Sequence, residues 1–164
     1  MAVIRIYWKD AGPGFDSPQV HVKVIEKGIL DLTPREMRQC KSLSLRHNGL
    51  MCEDLRDWRQ FELSKASRRY TRKTRVWMIK DEDDRLLAWA LATPRYKARG
   101  YDAQFYTRKS ERGKGYGSML MELVLALDAK PNVFPHDKTS GDFFKKHRNT
   151  IRFDRSDTKW LNEV

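Results

Sequence analysis

Cysteine is scarce in this chain of 164 residues. Cys40 and Cys52 are its only two cysteines, and they form no Cys-x-x-Cys pair. A disulfide framework is therefore excluded as a source of stability, and we expect reduced thiols and a cytoplasmic protein. The four histidines show no spacing typical of metal ligands, so we expect no metal site. No Ser/His/Asp triad is indicated either.

Long apolar runs are missing as well. The first ten residues, MAVIRIYWKD, carry Arg5 and Lys9 where a secretion signal would need an apolar core. No run approaches the length that a bilayer-spanning helix requires. We therefore expect a protein that is not exported and that does not contact a membrane.

Acidic residues are few relative to basic ones. The chain has 22 Asp and Glu against 33 Lys and Arg, which gives a net charge of +11. Such a balance favours an anionic partner: nucleic acid, a phosphorylated cofactor or an acidic protein surface. The length fits one domain, residues 1–164, and the apolar fraction of 40% is typical of a globular protein.

Local patterns predict an alternation of strands and helices. Thr33 and Glu36 form a capping box with proline between them, so a helix should run to about residue 47. Two strands around the acidic turn 81–84 are apolar on both faces, which predicts a sheet covered by helices on each side. The other expected elements are strands at 3–8, 20–25, 75–80, 85–92, 101–107, 132–134 and 150–153, and helices at 54–70, 118–129 and 140–147.

A glycine-rich stretch, SERGKGYGSML at residues 110–120, separates an expected strand from a strongly apolar helix. Backbone can approach a ligand closely at such a turn, and amides at a helix N-terminus favour phosphate. A P-loop is excluded because Gly117 is followed by Ser118 and Met119 rather than by the required lysine. The dinucleotide fingerprint is excluded because its third glycine would fall at Ser118.

The remaining pattern, Arg112 to Gly117, resembles the Arg/Gln-x-x-Gly-x-Gly/Ala loop of the GNAT superfamily of acyl-CoA-dependent N-acetyltransferases. The expected element order from residue 20 to 153 is similar to that of the family. The resemblance implies an α/β fold with a mixed, mostly antiparallel central sheet flanked by helices on both faces. It also implies that the strand at 103–108 separates from its neighbour and pairs with the pantetheine arm. The cofactor-binding residues it implies are Thr107, Arg108, Arg112, Gly113, Lys114, Gly115, Tyr116, Gly117, Ser118 and Asp137.

A second match to the family begins at Asp137 and ends at Lys146. It places Phe144 where many members have a tyrosine that protonates the departing thiolate. Ser140, one helical turn earlier, and Tyr106 are the replacement acids we consider first, with Tyr116 as a further alternative. The candidates for a base are Glu111, Asp102, Asp137 and His136, although some members of the family rely on a water chain or on positioning alone.

The resemblance thus implies an enzyme that moves an acetyl group from acetyl-CoA to a primary amine by direct attack in a ternary complex. Two basic segments, 65–75 and 95–99, suggest that the acceptor is an anionic macromolecule, either an acidic protein or an aminoacyl-tRNA. One alternative is a binding protein of the same fold with weak catalysis. Another is a nucleic-acid-binding module that is indifferent to coenzyme A.

Both ends of the chain depart from the family pattern. Residues 1–18 form an atypical N-terminal strand and turn, and residues 154–164 are expected to be a flexible tail too short for a full closing strand. A partner subunit that completes this edge would make the protein a homodimer.

Overall fold

A computed structural model describes residues 3–10, 19–46, 73–95, 98–133, 138–147 and 150–153. The expected turn at 11–18, the helix at 54–70, Cys52 and the tail at 154–164 lie outside these ranges. The strands are β1 Val3–Asp10, β2 Gln19–Gly28, β3 Arg75–Lys80, β4 Leu86–Pro94, β5 Tyr101–Thr107, β6 Asn132–Val133 and β7 Arg152–Phe153. The helices are α1 Pro34–Arg46, α2 Tyr116–Leu127 and α3 Lys138–Lys145, with short 3-10 turns at Ile29–Asp31 and Lys109–Glu111.

The described strands form one seven-stranded sheet in which each strand neighbours the next along the chain. From β1 to β5 every pairing is antiparallel, whereas β6 pairs in parallel with both β5 and β7. The sheet is therefore mixed and mostly antiparallel, which confirms the predicted fold class. β1 extends the sheet beyond β2, so the atypical N-terminal strand is an edge strand.

The capping box at the start of α1 is formed as the sequence predicts. The Thr33 hydroxyl accepts a hydrogen bond from the Glu36 amide at 3.1 Å, and a Glu36 carboxylate oxygen accepts one from the Thr33 amide at 2.9 Å. The same carboxylate pairs with Lys27 on β2 at 2.7 Å. This single side chain thus stabilises the first turn of α1 and ties the helix to the sheet.

Helices cover both faces of the sheet. On the α1 face, Cys40 and Leu43 pack on Val76, Met78, Trp89 and Tyr106. On the α2 face, α2 and Phe144 of α3 pack on Trp77, Ala90 and Ala103 and their neighbours. Residues alternate between the two faces along β3 and β4, which explains why these strands are apolar on both sides. Cys40 is fully buried in this core, and burial raises the pKa of its thiol.

Two helices begin two residues earlier than expected. α2 starts at Tyr116 rather than at Ser118, because Gly115 adopts a left-handed conformation that serves as its N-cap. α3 starts at Lys138 and ends in a turn at Lys146 and His147. Among the described residues, none of the helices has the length and apolar character required to cross a membrane.

Candidate functional site

β5 and β6 are paired only at the start of β5. Within the described residues, Asp102 is opposite Asn132 and Ala103 is opposite Val133, whereas β4 accompanies β5 as far as Thr107. The Arg108 amide donates to the Leu87 carbonyl at 2.7 Å. Since hydrogen-bonded pairs alternate along an antiparallel ladder, the backbone groups of Phe105 and Thr107 point away from β4. They face the side of β6, whose pairing with β5 reaches no further than Ala103 among the described residues.

The loop after β5 brings the positive end of α2 to this opening. It contains the 3-10 turn Lys109–Glu111, followed by Gly113 and Gly115 with φ angles of 80° and 85°. Only glycine adopts such angles without strain. Gly115 has no side chain to cap α2, and the Met119 amide donates to its carbonyl at 3.1 Å. The amides that precede Met119 in the helix therefore have no acceptor within it.

The glycines of the loop serve different purposes. A Cβ atom on Gly113 would meet nothing within 4 Å, so open space adjoins the backbone there. A Cβ atom on Gly117 would lie 3.1 Å from the Phe143 ring, so this glycine allows α2 to approach α3 closely. A left-handed backbone beside open space and a helix N-terminus suits a diphosphate. The loop residues thus fit the phosphate end of coenzyme A.

Two arginines hold the ends of the loop to the sheet. The Arg108 guanidinium donates through Nε to the Leu86 carbonyl at 2.9 Å, which fastens the end of β5 to β4. Arg112 Nε lies 3.4 Å from the Thr107 carbonyl, which is a long hydrogen bond across the loop. Arg112 is exposed, so it adds a solvent-accessible positive charge to the loop.

A three-residue charge cluster, Arg85, Glu111 and Lys114, flanks the loop. Lys114 Nζ lies 2.7 Å from one Glu111 carboxylate oxygen, and Arg85 approaches the other oxygen at 3.8 Å. The Glu111 side chain is only 13% exposed, whereas about half of each cation is exposed. The hydrogen bond that Lys114 donates to Glu111 raises the pKa of Lys114, so the ammonium stays charged at neutral pH.

The acids proposed from the sequence are not brought together. Tyr106 is 95% buried on the α1 face, where its ring stacks on Trp89 with 6.3 Å between centroids. Ser140 is a partly buried residue of α3, which packs on the opposite face. Tyr116 is buried in the core of the α2 face, and burial raises the pKa of its phenol.

Phe144 lies in the core on the α2 face, the face opposite to Tyr106. Its ring packs against Phe105 and Phe143, with centroids 5.9 Å and 5.3 Å away. Phe144 thus packs against a residue of β5 and is itself buried. Of the expected bases, Asp102 accepts a hydrogen bond from Asn132 at 3.0 Å, while His136 and Asp137 lie outside the described residues.

His147 is a partly buried polar residue that the sequence did not single out. Its ring contacts Phe143 at 5.1 Å between centroids, and its Nε2 atom is buried and meets no hydrogen-bond partner within the described part of the chain. Burial, followed by the charge of Lys146, lowers the pKa of this imidazole. The spacing of four residues from Phe143 is the signal that would have placed it on the packed side of α3.

Comparison with known proteins gives one family. Residues 41–135 match the model of a family described as Acetyltransferase (GNAT) family, which covers more than half of the chain. The match includes the second half of α1, β3 to β5, the glycine-rich loop, α2 and β6. A search of curated proteins finds no match. No cluster of three or more candidate metal ligands occurs among the described residues.

Proposed function

The chain belongs to the GNAT acetyltransferase family, whose members use acetyl-CoA, and we propose that it acetylates a primary amine on a macromolecular acceptor by direct attack in a ternary complex. The observation that carries this proposal is the continuous path from the backbone of β5 to the left-handed glycines at the start of α2. Bound acetyl-CoA would supply the activated acetyl group as a thioester.

We assign the phosphate end of the cofactor to the glycine-rich loop. Gly113 and Gly115 would bring backbone close to the diphosphate, and the amides at the start of α2 would donate to it. Arg112 and Lys114 add positive charge to the loop. Arg108, Tyr116, Gly117 and Ser118 complete the segment, with Arg108 and Gly117 acting through the packing of the loop.

The pantetheine arm would lie along the side of β5 that faces away from β4, where the long hydrogen bond from Arg112 to the Thr107 carbonyl would give way to it. Phe105 and Thr107 direct their backbone groups to that side, as a strand edge does when it accepts an added strand. An amide there would also polarise the thioester carbonyl, which increases its reactivity toward an amine. Asp137, at the start of the second family match, would contact the same arm.

We propose Ser140 as the group that protonates the departing thiolate. It lies one turn before Phe144 on α3 and is only partly buried, whereas Tyr106 is enclosed in the α1 face. A thiol has an ordinary pKa near 8.5, so its thiolate is a tolerable leaving group even with weak assistance. The missing tyrosine hydroxyl at Phe144 is therefore compatible with turnover.

The acceptor that we propose is anionic, either an acidic protein or an aminoacyl-tRNA, and the reaction would take place in the cytoplasm. The net charge of +11 supports this choice, since it attracts polyanions and repels small basic amines. Aminoacyl-tRNA also presents a free amine next to many phosphates. A second copy of the chain would complete the sheet beyond β7.

The proposal is tested by titrating coenzyme A into the full-length protein by calorimetry. Gly113→Glu should abolish binding, because its side chain fills the open space and adds negative charge beside the diphosphate. Gly113→Ala is the matched control: it has the same backbone strain and little bulk, so it should retain most of the affinity.

The two variants distinguish a blocked phosphate-binding space from backbone strain at residue 113. Equal loss of affinity in both would mean that backbone conformation alone is responsible, and thermal unfolding would detect it. Failure of the wild type to bind coenzyme A would overturn the proposed function.

A further inference from the structure

The charge cluster of Arg85, Glu111 and Lys114 contains an acidic group that a phosphate site does not need. Glu111 belongs to the loop that fits the diphosphate and lies three residues before Lys114. A carboxylate at this place repels an incoming phosphate and also binds the cation that would attract it. The presence of Glu111 in this loop therefore needs a physical explanation.

The acidic side chain of the charge cluster is more deeply buried than the basic ones. The Glu111 side chain is 13% exposed, and the backbone that carries it is anchored, since its amide donates to the Arg108 carbonyl at 2.8 Å. The Lys114 side chain is 48% exposed. The carboxylate is therefore the fixed member of the pair, and the lysine is the member that can change its position.

A diphosphate can also readily replace Glu111 as the partner of Lys114. An ion pair with a half-exposed lysine contributes little to stability, because water competes for both charges. A diphosphate offers Lys114 several charged oxygens in place of one carboxylate. The open space beside Gly113, the residue next to Lys114, leaves room for such a group.

We propose that Glu111 is an internal counter-anion that occupies Lys114 in the free protein and is replaced by the cofactor diphosphate on binding. This inference rests on the proposed function, since it assumes that the loop binds coenzyme A. Glu111 then lowers the affinity for coenzyme A and accelerates its release after the transfer. It is a specificity-determining residue of the phosphate site and not a general base.

The test compares dissociation constants of coenzyme A for full-length variants by calorimetry. Glu111→Gln should tighten binding about three- to tenfold, because it removes a repulsive charge and releases Lys114. Glu122→Gln, at an exposed position on α2, makes the same change in net charge and should leave the affinity within twofold. Pantetheine lacks the phosphates, so neither variant should bind it more tightly than the wild type does.

A double substitution separates release of Lys114 from simple repulsion. Lys114→Met should weaken binding, and Glu111→Gln should improve affinity less in that background than in the wild type. If Glu111→Gln increased the affinity equally in the wild type and in Lys114→Met, the proposal that Lys114 exchanges Glu111 for the diphosphate would be overturned. An unchanged or weaker affinity in Glu111→Gln, with an unchanged melting temperature, would overturn the inference as a whole.

Loss of the contact with Arg85 could unfold the loop in Glu111→Gln, so a second measurement uses the wild type. The side-chain carbon signals of Lys114 and Glu111 in the NMR spectrum, assigned with the variants, should both shift when coenzyme A is added. Binding without these shifts would overturn the inference alone. If the wild type binds no coenzyme A, the proposed function fails and this inference fails with it.

Discussion

Phe144 is the residue that we propose to stand where many members of the family have a proton-donating tyrosine. Its ring is 96% buried between Phe105 and Phe143, and it has no proton to give. Phe144→Tyr should raise kcat several-fold, because a hydroxyl at this place can protonate the thiolate that leaves. The rate with a saturating amine acceptor measures this gain.

Ser140 supplies the matched comparison for that prediction. If Ser140 protonates the thiolate, Ser140→Ala should lower kcat and leave the affinity for coenzyme A unchanged, and Phe144→Tyr should then restore the rate. An unaltered rate in Ser140→Ala, together with no gain from Phe144→Tyr, would show that protonation of the thiolate does not limit turnover. Thermal unfolding should be recorded as well, since a hydroxyl buried without a partner destabilises a core.

α1 is the element whose start depends on a single pair of side chains. Thr33→Ala should lower the free energy of unfolding by about 1 kcal/mol, because an amide in the first turn loses the hydroxyl that accepts its hydrogen bond. Urea denaturation at neutral pH measures the loss. Ser42→Ala, at an exposed position later in the same helix, is the control and should change stability little.

Glu36, the acidic residue of the capping box, makes the stability of α1 sensitive to acid. Burial alone would raise the pKa of Glu36, but hydrogen bonds from Lys27 and Thr33 outweigh it and lower the pKa below 4.5. The unfolded chain therefore binds this proton more readily, so the stabilisation is complete above about pH 5.5 and is lost as the pH falls through the lowered pKa. Glu36→Gln should remove this part of the acid dependence.

The limits of β3 and β5 were predicted correctly because each strand is bounded by charged residues and turns that local patterns reveal. The start of α2 was predicted two residues late, since nothing in the sequence says which glycine takes the left-handed N-cap. The separation of Tyr106 from Ser140 was also not predictable. A strand that is apolar on both sides does not show which residues face which helix, and only the packing of α1 and α2 decides it.

Charge acts on the scale of the whole molecule. With a net charge of +11, the protein should attract a polyanionic acceptor through many weak contacts, and each contact is screened by salt. We therefore expect kcat/KM for an aminoacyl-tRNA or an acidic peptide to fall about tenfold or more between 50 and 200 mM salt. A small neutral amine should show a much weaker dependence, because it does not sense the extended field.

The same salt series also tests whether the basic surface binds the acceptor or the cofactor. In the proposed site coenzyme A would contact only the few cations around the glycine-rich loop, so its dissociation constant should change less with salt than the KM of a polyanionic acceptor. A steep salt dependence for coenzyme A with none for the acceptor would reverse this assignment: the basic surface would then serve the cofactor, and the acceptor would be a small amine. A steep dependence for RNA binding without any coenzyme A binding would instead indicate a nucleic-acid-binding module.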